Sequence, residues 1–128
     1  MRFYARARTR DEARAWIARN RLLYEEPGFG FWQIESRPTS EFLGHCGITP
    51  LVLEGASVTE IGWHTKQTAW NRGIATEAAT CVRDLAFTRF AQTRLVALIP
   101  PDHLASRRVA EKIGMCEGRR SSSTAIPT

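Results

Sequence analysis

The chain has 128 residues, 43% of them apolar and 24% charged, the balance of a single globular domain large enough to bury a core. No apolar run approaches the roughly 20 residues that span a bilayer, and the basic start Met1-Arg-Phe-Tyr-Ala-Arg-Ala-Arg has no apolar stretch behind it, so it is not a secretory signal. A membrane partner is therefore not expected, and the cytoplasm is the default compartment. The net charge of +5 is uneven: residues 1–64 hold 8 Arg/Lys and 8 Asp/Glu, and residues 65–128 hold 10 and 5. Sixteen of the 18 basic residues are Arg, a side chain suited to bidentate phosphate contacts. Such a half fits a nucleic acid, a polyanionic small ligand or solubility alone. Cys46, Cys81 and Cys116 are odd in number and far apart, which gives neither a disulfide framework nor the spacing of a metal site. They read as reduced thiols.

Taken in order, Thr9-Arg10-Asp11-Glu12 is a capping box, in which the Thr9 hydroxyl takes the Glu12 N–H and Glu12 reaches back. Ala13, Trp16, Ile17 and Leu23 then recur at helical spacing, which predicts an amphipathic helix over 10–25, stopped by Glu25-Glu26-Pro27-Gly28. Phe31 to Glu35 reads as a strand, 36–40 as a turn and Glu41 onward as a second strand, with Gly44 and Gly47 marking a bulge or a close backbone approach. Pro50 and Gly55 bracket a further turn. Val58 to His64 is a third strand, with Ile61 and Trp63 on one face and Glu60, Gly62 and His64 on the other.

Beyond it, Ala78, Ala79, Val82, Ala86 and Phe90 form a helical stripe, and Thr93 to Ile99 is a continuous apolar run, the pattern of a strand buried on both faces. Leu104 to Ile113 reads as a short helix closed by Gly114, and Arg119 to Thr128 as a disordered tail. The predicted architecture is α/β (α+β): a mixed, mostly antiparallel sheet with helices on both faces. In such sheets ligands collect beyond the carboxyl ends of the strands, where strand order switches.

The segment Trp70-Asn71-Arg72-Gly73-Ile74-Ala75-Thr76-Glu77-Ala78 joins a strand to a helix start. The first helical N–H groups lack intrahelical partners, and the dipole adds positive charge there. Gly73 and the small Ala75 let a phosphate come close to the backbone, while Thr76 and Arg72 offer further donors. A bare strand–glycine–helix junction fits this description too. Neither a Gly-Lys-Ser/Thr loop nor a Gly-x-Gly-x-x-Gly fingerprint is present.

This segment together with Ala105-Ser-Arg-Arg-Val-Ala-Glu-Lys-Ile-Gly-Met resembles the Gcn5-related N-acetyltransferases, closest to the branch that acetylates the N-termini of ribosomal proteins. Trp70, Gly73 and Ala75 occupy the positions of the family's Gln/Arg-x-x-Gly-x-Gly/Ala motif, and the similarity spans about residues 10–118. The resemblance implies acetyl-CoA as cosubstrate, its pyrophosphate on the backbone N–H groups of Asn71, Arg72, Gly73, Ile74, Ala75 and Thr76 beside Trp70, and its thioester between the Val58–His64 and Thr93–Ile99 strands. It implies direct attack by an amine, with no metal. That chemistry needs a proton acceptor for the amine and a donor for the leaving thiolate.

Glu60 is the candidate base, with a solvated strand-face carboxylate as its plainer reading, and His64 is the substitute. Ser106, at the serine of the branch's Asn-x-Ala-Ser motif, is the candidate acid; otherwise it is the first-turn polar residue of its helix. The tyrosine acid of other members is absent, because that position is Ala110. His103 stands where the branch has Asn, at a coenzyme contact. The resemblance also implies a domain over residues 1–118 that is shortened at both ends and lacks two closing strands, which leaves a sheet edge open to a second copy. The acceptor is a primary amine, a protein N-terminus or a small molecule. An acyl-CoA-binding module without turnover is the second reading. A nucleic-acid-binding domain is the third, and the chain has no motif for it.

Overall fold

A computed structural model describes residues 9–118 and the backbone of Ser123–Pro127. The elements are α1 (Arg10–Glu25), β1 (Phe31–Glu35), β2 (Phe42–Leu53), β3 (Ala56–Thr65), a single 3-10 turn (Gln67–Ala69), α2 (Ile74–Thr88), β4 (Arg94–Leu98), α3 (Leu104–Lys112), β5 (Cys116–Glu117) and β6 (Ser123–Pro127). They form one mixed sheet in the order β1-β2-β3-β4-β6-β5. Every neighbouring pair is antiparallel except β3 and β4.

α1 starts as its sequence dictates. The Thr9 hydroxyl accepts the Glu12 N–H at 3.1 Å and the Glu12 carboxylate accepts the Thr9 N–H at 2.8 Å. Its inward stripe differs by one position from the apolar pattern. Ile17 is 46% exposed, whereas Asn20 is 3% exposed. Asn20 sits one turn beyond Trp16 and joins helix to sheet: its Nδ2 donates to the Trp16 carbonyl at 2.9 Å, and its Oδ1 accepts the Phe31 N–H at 2.7 Å. The Tyr24 hydroxyl donates to the Phe31 carbonyl, and Trp16 meets the rings of Phe31 and His45 edge-on.

Register then sorts the two faces. Phe31 lies opposite Gly47, which lies opposite Gly62, and His45 lies opposite His64. Side chains alternate along a strand, so Glu60, Gly62 and His64 share the α1 face. Ile61 lies on the other face in a core with Cys46, Ile48, Leu95, Ala97 and the α2 residues Ala79, Val82 and Ala86; Ala110 and Ile113 of the α3 region join it. Helices thus cover both faces. Gly44 and Gly47 are close-approach positions, since a Cβ at either would meet the neighbouring strand's backbone.

Two expectations change. Pro50 does not open a turn but lies within β2, opposite Thr59. β1 pairs with β2 no further than Gly47, so beyond that point a proline removes no donor from a ladder on that side. The turn is the two-residue loop Glu54-Gly55, with φ of 51° and 82°, the left-handed pair that a tight hairpin requires. The second change concerns the stretch 119–128. Within it Ser123–Pro127 forms β6, hydrogen-bonded to β4 on one side and β5 on the other. Two strands thus follow α3 where closing strands were expected to be missing, and the sheet ends at β1 and β5; the rest of that stretch lies outside the described residues.

Removing the Asn20 amide leaves the Phe31 N–H without its acceptor in a dry site. Asn20→Ala is expected to lower the unfolding free energy by about 1–3 kcal/mol, measured by chemical denaturation.

Candidate active site

β3 and β4 pair at Thr59 with Leu95 and at Glu60 with Val96. Past that rung β3 runs on to Thr65, held by β2, and β4 runs on to Leu98, held by β6. The two parallel strands therefore fork toward their carboxyl ends. Glu60 is the last residue of β3 to pair across the fork, and α2 and α3 both begin beyond its open end. This is the switch point at which open sheets admit ligands.

On the β3 side the chain leaves Thr65 through the 3-10 turn and reaches α2. The Trp70 indole N–H donates to the Thr65 carbonyl at 3.0 Å, which ties the loop to the strand end. Asn71 has a φ of 61° and Gly73, the N-cap of α2, a φ of 74°. That conformation favours glycine, and a Cβ on Gly73 would meet no atom within 4 Å. The space before the first turn is open. Asn71, Arg72 and Gly73 are exposed, and Ile74, Ala75 and Thr76 are half-buried. The first helical bond at this end is donated by Glu77 to the Gly73 carbonyl at 3.0 Å, so the N–H groups of Ile74, Ala75 and Thr76 precede the ladder and face outward. At the rim Lys66 bonds Glu41 at 2.8 Å; that hydrogen bond and charge, with a weaker pull from Arg72, hold the Glu41 carboxyl below its usual range.

On the β4 side Pro100-Pro101 ends the strand, and His103 caps α3. Its Nδ1 accepts the Ser106 N–H at 3.2 Å, and its Nε2 lies 3.3 Å from the Ser106 hydroxyl. Burial lowers the His103 pKa, against a weaker opposing pull from Asp102. The ring is therefore neutral at physiological pH. Ala110, a turn further on, is buried in the core.

Glu60 is half-buried, and burial raises its carboxyl above the usual range, offset in part by Arg19 of α1. A group so placed takes up a proton more readily than a surface carboxylate. His64 lies four residues further along the same face of β3, beyond the paired rung, opposite His45. The Trp70–Thr76 loop and the His103–Ser106 turn thus follow the two arms of the fork, with Glu60 at its last paired rung and His64 further out on the β3 arm. The pattern of the sequence does not reveal Arg19 as the charge facing Glu60, although its spacing of three from Trp16 puts it near the sheet side of α1.

A separate cleft of about 490 Å³ opens on the α2 face, lined by Trp32, Ile34, Cys46, Cys81, Leu85 and Phe90 among others. Burial pushes the Cys46 thiol up to about 12, so it remains a neutral thiol. Among the described residues, no three His, Cys, Asp or Glu side chains converge in a manner that would hold a metal ion, and no helix is long and apolar enough to cross a membrane.

The chain is 38% identical over 115 residues to the uncharacterized protein YkkB of Bacillus subtilis, covering 90% of this chain and 67% of that one. It spans 58–67% of the length of the curated relatives it matches. Its fold superposes on a GnaT-family acetyltransferase from Bordetella pertussis with a TM-score of 0.81 at 22% identity, covering 97% of this chain and 80% of that one. It superposes on RimL, a ribosomal L7/L12 alpha-N-protein acetyltransferase in complex with coenzyme A, with a TM-score of 0.74 at 16% identity, covering 94% and 73%. Residues 1–116 match the acetyltransferase (GNAT) domain, and the chain belongs to that family.

Proposed function

We propose that this protein is a cytoplasmic, acetyl-CoA-dependent N-acetyltransferase that acts on a primary amine, a protein N-terminus being the acceptor favoured by the fold it shares with RimL. The observation that carries this reading is the fork itself: a carboxyl of raised pKa at its apex and two helix starts at its mouth. Acetyl-CoA supplies the activated acyl group as a thioester. The outward N–H groups of Ile74, Ala75 and Thr76, joined by those of Asn71, Arg72 and Gly73, hold its pyrophosphate. The Arg72 guanidinium adds charge at the rim, and the open side of Gly73 leaves room for the phosphates to approach. Trp70 keeps this loop in place through Thr65.

Glu60 takes the proton from the attacking amine, directly or through a water, so that nitrogen arrives with its lone pair free. Desolvation makes the carboxylate more basic without a second charged partner. Its position at the last paired rung makes it the base in preference to His64. Ser106, on the opposite arm, presents a hydroxyl to the sulfur that leaves. α1 roofs the face on which Glu60 stands, and Arg19 there limits how far the carboxyl's pKa rises. Polyanion binding of the nucleic-acid kind is not needed to explain the basic second half, because a coenzyme pyrophosphate has the same charge requirement.

Binding and turnover separate this reading from an acyl-CoA-binding module. Calorimetric titration with acetyl-CoA is expected to show micromolar binding by the wild-type chain and none by Gly73→Glu, which puts bulk and negative charge in front of the first turn of α2. Gly73→Asn, a residue that tolerates the left-handed conformation, controls for folding. Equal affinity in Gly73→Glu would remove the loop from the site.

Glu60→Gln is expected to lower kcat/KM for the amine by about 10²-fold or more. It also has a stability signature of fixed sign. A carboxyl whose folded pKa is raised contributes its stability below the unfolded pKa and loses it as pH rises through the folded value. Glu60→Gln should therefore melt above wild type at pH 7, and the difference should close as pH falls into the carboxylate range. Full activity in this variant would assign the base elsewhere.

A further inference from the structure

Two glycines let one ring cross the sheet on the α1 side. Phe31 of β1 lies opposite Gly47 of β2, and Gly47 lies opposite Gly62 of β3. Paired residues of neighbouring strands share a face, so no side chain stands between the Phe31 ring and β3. The ring fills that lane to its end: a Cβ built on Gly62 would lie 2.7 Å from the Phe31 Cζ and 3.3 Å from its Cε2. Trp16 of α1 meets the ring edge-on, with centroids 5.9 Å apart. The tip therefore rests on β3 between Glu60 and His64, which flank Gly62 on the same face. Glu60, Gly62, His64 and Phe31 are all partly exposed, so the tip borders space that solvent reaches.

Across the fork the same face of β4 carries Val96, the partner of Glu60, and two residues further on Leu98, which is 40% exposed. An amine that reaches Glu60 thus arrives with an aromatic tip on one side and an aliphatic side chain on the other. Charges are few there. Among the described strand residues on this face of β2, β3 and β4, Glu60 is the only acid, and the Arg19 guanidinium faces it from α1. Glu41, at the rim, is already bonded to Lys66. A second ammonium on the acceptor would meet no carboxylate of its own and would be repelled by Arg19. An apolar group beside the amine would instead be taken out of water.

We propose that Phe31 is a specificity residue: its ring, laid across Gly47 onto Gly62, is the wall that receives the side chain next to the acceptor's amine, and the acceptor is a peptide whose first residue is apolar. The inference rests on the reading of this site as an N-acetyltransferase centre with Glu60 as base, and it narrows the acceptor to one class. Short peptides that differ only in their first residue, Leu, Asn or Lys, test it with acetyl-CoA and thiol release. Leu and Asn are close in size, so their ratio reads apolar contact, and Lys adds a second ammonium. The kcat/KM for the Leu peptide is expected to exceed both others about tenfold or more. Phe31→Leu stays apolar but is too short to reach Gly62, and should cut the Leu-to-Asn ratio about three- to tenfold. Gly62→Ala should act in the same direction, because its methyl takes the place of the ring's tip. Each ratio compares two acceptors on one enzyme sample, so any loss of folded protein cancels. The KM for acetyl-CoA should not move.

Equal kcat/KM for the three peptides overturns the proposal, as does a Leu preference that survives both substitutions. Either result leaves the acetyltransferase reading in place, whereas a wild-type chain that does not bind acetyl-CoA removes that reading and this one with it. Where acetyl-CoA binds but no peptide turns over, calorimetric titration of the CoA-bound chain with the same peptides decides. Binding of the Leu peptide that weakens in Phe31→Leu supports the wall; equal binding of all three, or none, overturns it.

Discussion

Two residue pairs, Thr59 with Leu95 and Glu60 with Val96, hold β3 against β4, and the rest of the site depends on how soon that pairing stops. Each strand is fully occupied on its other side, β3 by β2 and β4 by β6. Those outer ladders keep the arms extended after they separate. Had the ladder continued, the rungs beyond Glu60 would have filled the space between the arms. A fork instead leaves the Glu60 carboxyl half-covered at its apex. That partial burial raises its pKa above the usual carboxylate range.

The two arms carry different chemistry because different residues begin the helices that follow them. α2 starts on Gly73, with no side-chain cap, so its first N–H groups have no capping side chain. α3 starts on His103, whose ring already satisfies the Ser106 N–H. One helix start is left uncapped, and the other is capped by a side chain that also lies near the Ser106 hydroxyl. The same physical need, partners for the first turn's donors, is met in two ways a few residues beyond each arm of the fork.

Much of this was legible in the residues. The capping box placed α1 at its observed limits, the aliphatic run after Thr93 marked the buried β4, and Gly114 marked the end of α3. The loop from Trp70 to Thr76 stands out through its local pattern, and Glu60 and Ser106 through the family resemblance; their roles belong to the proposal. What stayed hidden depends on contacts between distant segments. Nothing local in Val58–His64 says where its pairing with β4 ends. Pro50 has the local signature of a turn, whereas its tolerance in β2 depends on how short β1 is. Nothing local marks Asn20 as buried, since its bond to Phe31 lies across the helix–strand junction. The Ser/Thr-rich composition before Pro127 argued against a strand, yet hydrogen bonding to β4 and β5 outweighs weak local preference there.

The cover on the two faces is attached in unlike ways. α2 packs its small residues Ala79, Val82 and Ala86 into the main core, so lifting it would expose that core to water. α1 is held by Asn20, Tyr24 and the edge-on ring of Trp16, with Ile17 and Leu22 left facing solvent. Its detachment breaks a few hydrogen bonds and ring contacts and leaves the sheet and its fork intact, a local opening well below the free energy of global unfolding. α1 is thus the more lightly attached of the two covers, and the Glu60 side of the sheet is the side it shields.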